Sequence, residues 1–90
     1  LDSVARDYIA SKGFESAFGH SLGHGVGMEI HEKPAVSKNS SQILEPGMVI
    51  TIEPGIYIPD KFGIRIEDMV IITHNSYKNL THSPKELIAL

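Results

Sequence analysis

The sequence contains no cysteine and no excess of basic residues. Without cysteine it can form neither disulfides nor Cys-ligated zinc, which is compatible with a reducing compartment, and we expect a cytoplasmic location. Eight Lys and Arg residues stand against eleven Asp and Glu, with no basic run, so we expect no nucleic-acid partner. No apolar run approaches the roughly 18–20 residues that cross a bilayer, so we expect no membrane partner.

The chain is also short, at 90 residues, and begins with leucine rather than methionine. A chain of this size forms at most one small domain and buries only somewhat more than ~60% of the surface it exposes when unfolded. Its first residues enter a helical pattern directly. We therefore interpret residues 1–90 as a fragment of a longer protein.

The first segment predicts a helix from Asp2 to about Lys12, closed by a left-handed cap at Gly13. Asp2 or Ser3 is the expected N-cap residue. The apolar residues of this helix recur at the spacing of one face, which comprises Val4, Ala5, Tyr8 and Ile9. We expect that face to pack, the opposite face to be solvated, and the helix to carry no chemistry.

The rest of the chain predicts antiparallel strands separated by Gly- and Pro-containing turns. β-branched and alternating patterns place strands at Met28–His31, Met48–Pro54, Ile56–Ile58 and Gly63–Thr73. Four to six strands and one helix give an α+β class, with the helix against one face of the sheet.

The segment Gly19–Pro34, GHSLGHGVGMEIHEKP, carries three of the five histidines: His20, His24 and His31. Clustered imidazoles suggest metal or proton chemistry. A zinc-protease helix is disfavoured because Ser21 replaces the glutamate of HExxH, and four glycines would each cost a helix ~1 kcal/mol. We predict an extended segment with His20 and His24 on one face, and Pro34 at a strand end or sheet edge.

Two glutamates, Glu53 and Glu67, interrupt runs of Ile, Val and Met that predict burial. A buried carboxylate requires a compensating cation or hydrogen-bond donor. Arg65 can supply one for Glu67, but no basic residue lies within seven positions of Glu53. A metal ion would satisfy both carboxylates together with His24, and such a set suits Zn, Mn, Fe or Co.

Together these motifs resemble the C-terminal part of the catalytic domain of the pita-bread metallopeptidases, in the Xaa-Pro aminopeptidase and prolidase branch. The residues that carry the resemblance are HSLGHGVGMEIHEKP at 20–34, TIEPGIY at 51–57, GIRIEDMV at 63–70 and LTHSPKEL at 80–87. The resemblance implies that residues 1–90 are the C-terminal portion of that fold.

The resemblance also implies a role for each matching residue and a dinuclear site holding two divalent ions, Mn, Co or Zn. His24, Glu53 and Glu67 match metal ligands, and Glu53 also matches the acceptor of the proton from the attacking water. His20 and His31 match residues that contact substrate and stabilise the tetrahedral intermediate, and Tyr57 and Arg65 match substrate-side positions. The implied partners are a peptide with proline after the scissile bond and, for the whole protein, a second copy in a homodimer.

One departure from the family pattern limits what this chain can do alone. The family's site has five protein ligands, and two aspartates of that set match no residue here. We therefore expect the 90-residue chain to be inactive by itself. The alternatives are a methionine aminopeptidase-like enzyme, since that group shares the glycine-rich histidine segment, a metal-free hydrolase resembling creatinase, and a non-catalytic peptide- or protein-binding module of the same fold.

Overall fold

The computed structural model describes all residues from 1 to 90. One α-helix and one 3-10 helix precede seven strands, and every strand pairing is antiparallel. The α+β class is confirmed, with one strand more than the predicted maximum of six. The elements are α1 (Asp2–Ser11), the 3-10 helix (Glu15–Ala17), β1 (Gly23–Gly25), β2 (Glu32–Val36), β3 (Val49–Ile52), β4 (Gly55–Ile58), β5 (Phe62–Arg65), β6 (Asp68–Ile72) and β7 (Tyr77–Asn79).

The strands form two sheets rather than one. Five strands are ordered β2-β1-β3-β6-β7, and β4 and β5 form a separate two-stranded hairpin. Pro34 lies in β2, an edge strand of the larger sheet, where its missing N–H costs no interior ladder bond. The edge position predicted for Pro34 is therefore confirmed. Neither helix has the length and apolar character that a membrane span requires.

The core lies between α1 and one face of the five-stranded sheet. Ile50 of β3 and Val70 of β6 are directly paired, and both are buried. Both are β-branched, and such side chains pack well on the pleated surface of a sheet. The other buried apolar residues are Phe18, Leu22 and Val36. Ala5 and Ile9 pack α1 against this cluster, as predicted for the helix.

The inward face of α1 differs from the predicted one. Val4 is 72% exposed and Tyr8 is also exposed, whereas Asp2 is buried. The helix starts from Leu1 without a side-chain cap, so the predicted capping by Asp2 or Ser3 is wrong. The reason is that the Asp2 carboxylate binds groups on the inward side of the helix instead of its own first turn.

The C-terminal end of α1 follows the prediction. Gly13 has φ +90°, a left-handed conformation that favours glycine, and its N–H donates to the carbonyl of Ala10 at 3.0 Å. A similar positive φ of +93° at Gly47 closes the turn before β3. Both turns therefore use glycine where the backbone requires it.

Two predicted strands are wrong. Met28–His31 forms bends between β1 and β2, because the Glu32 carboxylate folds back to accept the N–H of Glu29 at 3.3 Å. Gly63–Thr73 divides into β5 and β6, which belong to different sheets. Ile66 leaves the strand at that point and donates its N–H to the carbonyl of Pro54 at 3.2 Å.

Candidate functional site

Glu53 and Glu67 occupy the two points where the chain passes between the sheets. Glu53 lies in the link from β3 to β4, and Glu67 lies in the link from β5 to β6. The hydrogen bond from Ile66 to Pro54 joins these two links directly. Both glutamates are therefore outside the strands, which explains how they interrupt apolar strand sequences without occupying positions in a ladder.

His24 is brought beside Glu53 by the close approach of β1 to β3. A Cβ on Gly23 would collide with the backbone carbonyl of Thr51, so glycine is required there for the strands to come this near. The N–H of His24 then donates to the Thr51 hydroxyl at 3.1 Å, and the N–H of Glu53 donates to the carbonyl of Leu22 at 2.7 Å. These bonds fix the backbones of both residues.

The side chains of His24 and Glu53 face each other, with His24 Nε2 lying 3.3 Å from Glu53 Oε2. His24 Nδ1 lies 2.9 Å from the carbonyl of Gly25, which can only accept, so Nδ1 carries a proton. In a neutral ring, Nε2 then presents a lone pair to the carboxylate. Two facing acceptors repel each other, and either a proton on Nε2 or a metal cation between them removes that repulsion. The donor types and their orientation fit a divalent transition metal.

Glu67 does not join this pair. Its Oε2 lies 3.7 Å from Nε of Arg65, and the side chain is 43% exposed. No group of three or more His, Asp or Glu side chains is close enough to hold a metal ion. The chain therefore brings together two of its three predicted ligands, and the site that they form is incomplete.

His20 makes a separate contact with Tyr57. Its Nδ1 lies 2.7 Å from the carbonyl of Ser21, and its Nε2 lies 3.1 Å from the Tyr57 hydroxyl. The Ser21 carbonyl requires a proton on Nδ1, so Nε2 accepts from Tyr57. His31 packs its ring against that of His24, with a centroid distance of 4.3 Å.

These groups surround a polar cleft of about 580 Å³. Of the predicted site residues, five line this cleft: His20, His24, His31, Glu53 and Arg65. Tyr57 reaches the cleft only through His20, and Glu67 does not line it. A second cavity of similar volume is lined in part by Ile50, Val70 and Ile72 and contains none of the predicted site residues.

The sequence analysis missed one polar cluster, formed by Asp2 and Arg6 on α1. Arg6 donates from Nε and Nη2 to the two oxygens of Asp2, at 2.8 and 3.0 Å. These hydrogen bonds hold the pKa of Asp2 below its usual range. The four-residue spacing of an acid and an arginine on a helix was the available signal, although it more often marks an exposed pair.

Comparison with known proteins places this geometry in a family. Residues 1–74 match the model of metallopeptidase family M24. The chain is 62% identical, over 99% of its length, to the uncharacterized peptidase YqhT of Bacillus subtilis. It is 58% identical, over 98% of its length, to a Xaa-Pro dipeptidase of Pyrococcus horikoshii. In both cases the chain spans about a quarter of the relative's length, 25%.

The fold agrees with that of solved structures. A Xaa-Pro dipeptidase from Bacillus anthracis superposes with a TM-score of 0.97 at 55% identity, over 99% of this chain and 25% of the other. An identity this high over nearly the whole chain shows shared descent as well as shared fold. The chain therefore matches a fragment of the pita-bread fold, as expected. The chain, with its paired imidazole and carboxylate beside a histidine-lined cleft, belongs to metallopeptidase family M24.

Proposed function

We propose that this chain supplies part of the active site of a metal-dependent peptidase that cleaves the bond before proline. The observation that carries the proposal is the His24–Glu53 pair, in which Nε2 and Oε2 lie 3.3 Å apart at the wall of a polar cleft. Such a pair is a suitable donor set for a divalent ion, and two further histidines line the same cleft, where they can contact a substrate. The similarity to Xaa-Pro dipeptidases supports the choice of substrate.

The proposed metal ligands are His24, Glu53 and Glu67, with a divalent ion of the Mn, Co or Zn type. A divalent ion at such a site supplies Lewis acidity to the scissile carbonyl and lowers the pKa of water toward neutrality. The hydrogen bond from Nδ1 to the Gly25 carbonyl fixes the His24 ring with Nε2 directed at Glu53. Glu53 is then the group that accepts the proton of the attacking water.

The substrate-side residues in this proposal are His20, His31, Tyr57 and Arg65. His20, with its tautomer fixed by Ser21, directs Nε2 at the Tyr57 hydroxyl, and protonation of that nitrogen makes it a hydrogen-bond donor to a developing oxyanion. His31 supplies a second imidazole beside His24. Arg65, whose side chain is 51% exposed at the cleft, offers a cation to the carboxylate of a short peptide.

The three proposed ligands are fewer than the five of the family pattern, so we expect the 90-residue chain to turn over no substrate by itself. We expect the whole protein that carries it to be active as a homodimer in the cytoplasm. Either an Xaa-Pro dipeptidase or an Xaa-Pro aminopeptidase fits the residues described, and substrate length separates the two.

The test is an assay of the whole protein on Xaa-Pro dipeptides and on longer Xaa-Pro peptides, with Mn²⁺, Co²⁺ and Zn²⁺ added in turn. Glu53→Gln and Glu67→Gln should each abolish turnover and lower the metal content measured by mass spectrometry. His82→Asn, a change at an exposed histidine remote from the cleft, is the control. Unchanged metal content in both glutamate variants would show that the ligand assignment is wrong.

A further inference from the structure

Asp2 is the most buried charged residue of the chain, 2% exposed, and it lies outside the cleft. Its two oxygens accept three hydrogen bonds. Two come from Arg6, and the third comes from the backbone N–H of Leu22 at 3.1 Å. A carboxylate so fully bonded is a fixed anchor, and its partner Leu22 is distant in sequence.

Arg6 uses its remaining donors on the same segment of backbone. Nη1 donates to the carbonyl of Phe18, and Nη2 donates to the carbonyl of His20, both at 2.9 Å. The guanidinium also stacks over the Phe18 ring, 4.3 Å from its centroid. Residues 18, 20 and 22 alternate along the chain, and a backbone polar group of each reaches Asp2 or Arg6. The ion pair holds all three.

The segment held in this way leads directly to the candidate site. His20, whose carbonyl is bound by Arg6, directs its ring at Tyr57. Leu22, whose N–H is bound by Asp2, accepts the N–H of Glu53 on its carbonyl at 2.7 Å. A continuous chain of hydrogen bonds therefore runs from α1 to the backbones of His20 and Glu53, although neither Asp2 nor Arg6 lines the cleft.

We infer that Asp2 and Arg6 are positioning residues, which hold His20 and Glu53 at their places in the cleft through the backbone of residues 18–22. The effect on turnover rests on the proposed function, whereas the effect on His20 does not. The inference therefore assigns α1 a role in positioning site residues, in addition to its role in packing. The planar guanidinium is required because an ammonium group cannot bind one carboxylate and two carbonyls in this fixed arrangement.

The test begins with Arg6→Lys in the 90-residue chain. Long-range ¹H–¹⁵N spectra report the tautomer of each imidazole, and wild-type His20 should carry its proton on Nδ1 alone. In Arg6→Lys we expect a mixture of tautomers at His20, with the backbone signals of a folded chain retained. Asp7→Asn, a change at an exposed carboxylate of the same helix, is the matched control and should leave His20 unchanged.

Asp2→Asn is the second variant, and it answers the same question if Arg6→Lys fails to fold. Its amide has one acceptor oxygen in place of two and an NH₂ group in place of the other, so it cannot accept all three hydrogen bonds from Arg6 and Leu22. In the whole protein we expect kcat to fall about 10–100-fold in either variant, with little change in KM, because small displacements of reacting groups are costly. Signals of His20 that stay unchanged in a folded variant would overturn the inference. Lack of peptidase activity in the wild-type protein would instead contradict the proposed function, while the His20 spectra would still decide the role of Arg6.

Discussion

Gly23 lies directly against the backbone carbonyl of Thr51, so closely that no side chain fits between β1 and β3. The same approach places the N–H of His24, the next residue, on the Thr51 hydroxyl. The position of the candidate metal ligand therefore depends on the absence of a side chain one residue earlier.

Gly23→Ala should lower the free energy of unfolding by about 1–3 kcal/mol, because an inserted methyl group forces a tightly packed backbone apart. Urea unfolding measures the change. Gly19→Ala is the matched control, since a Cβ there meets no atom within 4 Å. Equal stability of the two variants would contradict the close approach of β1 and β3.

Mn²⁺ or Zn²⁺ should raise the thermal midpoint of the whole protein that carries this chain, since an ion that binds only the folded state stabilises it. At a concentration 100 times Kd the gain is about 2.7 kcal/mol. His24→Asn should remove most of this rise in the midpoint, because His24 Nε2 and Glu53 Oε2 are the two proposed metal-binding atoms that face each other. Differential scanning measurements give the thermal midpoint of each protein with and without the metal ion, and His82→Asn is the control. An equal rise in the wild type, in His24→Asn and in His82→Asn would show that the ion binds away from His24.

Acid should destabilise the wild-type chain partly through Asp2. Its pKa is lowered in the folded state, chiefly by the hydrogen bonds from Arg6, so its contribution is present above the unfolded pKa near 3.8. That contribution is lost as pH falls below this value and through the folded pKa. Asp2→Asn should therefore be less stable at pH 6 by about 2–3 kcal/mol, and the difference from wild type should shrink toward pH 2. Urea unfolding at a series of pH values measures this; a constant difference would contradict it.

The ion pair of Lys85 and Asp68 ties the end of the chain to β6, with Nζ and Oδ1 2.7 Å apart. Lys85→Met should cost less than about 1 kcal/mol, because the pair is partly exposed. The pKa of Asp68, now held below its usual range mainly by Lys85, should rise in this variant, as an NMR titration would measure. Lys78→Met, which removes a lysine without an ion pair, should leave the Asp68 titration unchanged.

Much of the fold followed from local signals. The strand predicted at Met48–Pro54 appears as β3, since its β-branched residues suit a pleated surface, and glycines end the helix and the turn before β3. The pairing of His24 with Glu53 was also predicted, because an isolated carboxylate among apolar residues needs a partner from a distant part of the chain.

The errors share a physical cause. Alternation in Met28–His31 and Gly63–Thr73 indicates extended residues but does not specify which sheet they join, so neither the bends nor the division into two sheets was visible. Asp2 was predicted to cap its helix because a sequence indicates only the contacts that a residue can make with its neighbours along the chain. Its actual partner at Leu22 becomes available only when the chain folds back.

The crossings between the two sheets have a consequence for how this site can change. Glu53 and Glu67 stand in the two links, and they lie opposite each other because the pairings Ile52–Asp68 and Gly55–Arg65 on either side share one register. Pro54 and Ile66, joined by a hydrogen bond, continue that register from one sheet to the other. A one-residue insertion or deletion in either link would therefore move the two carboxylates out of opposition without altering any ligand.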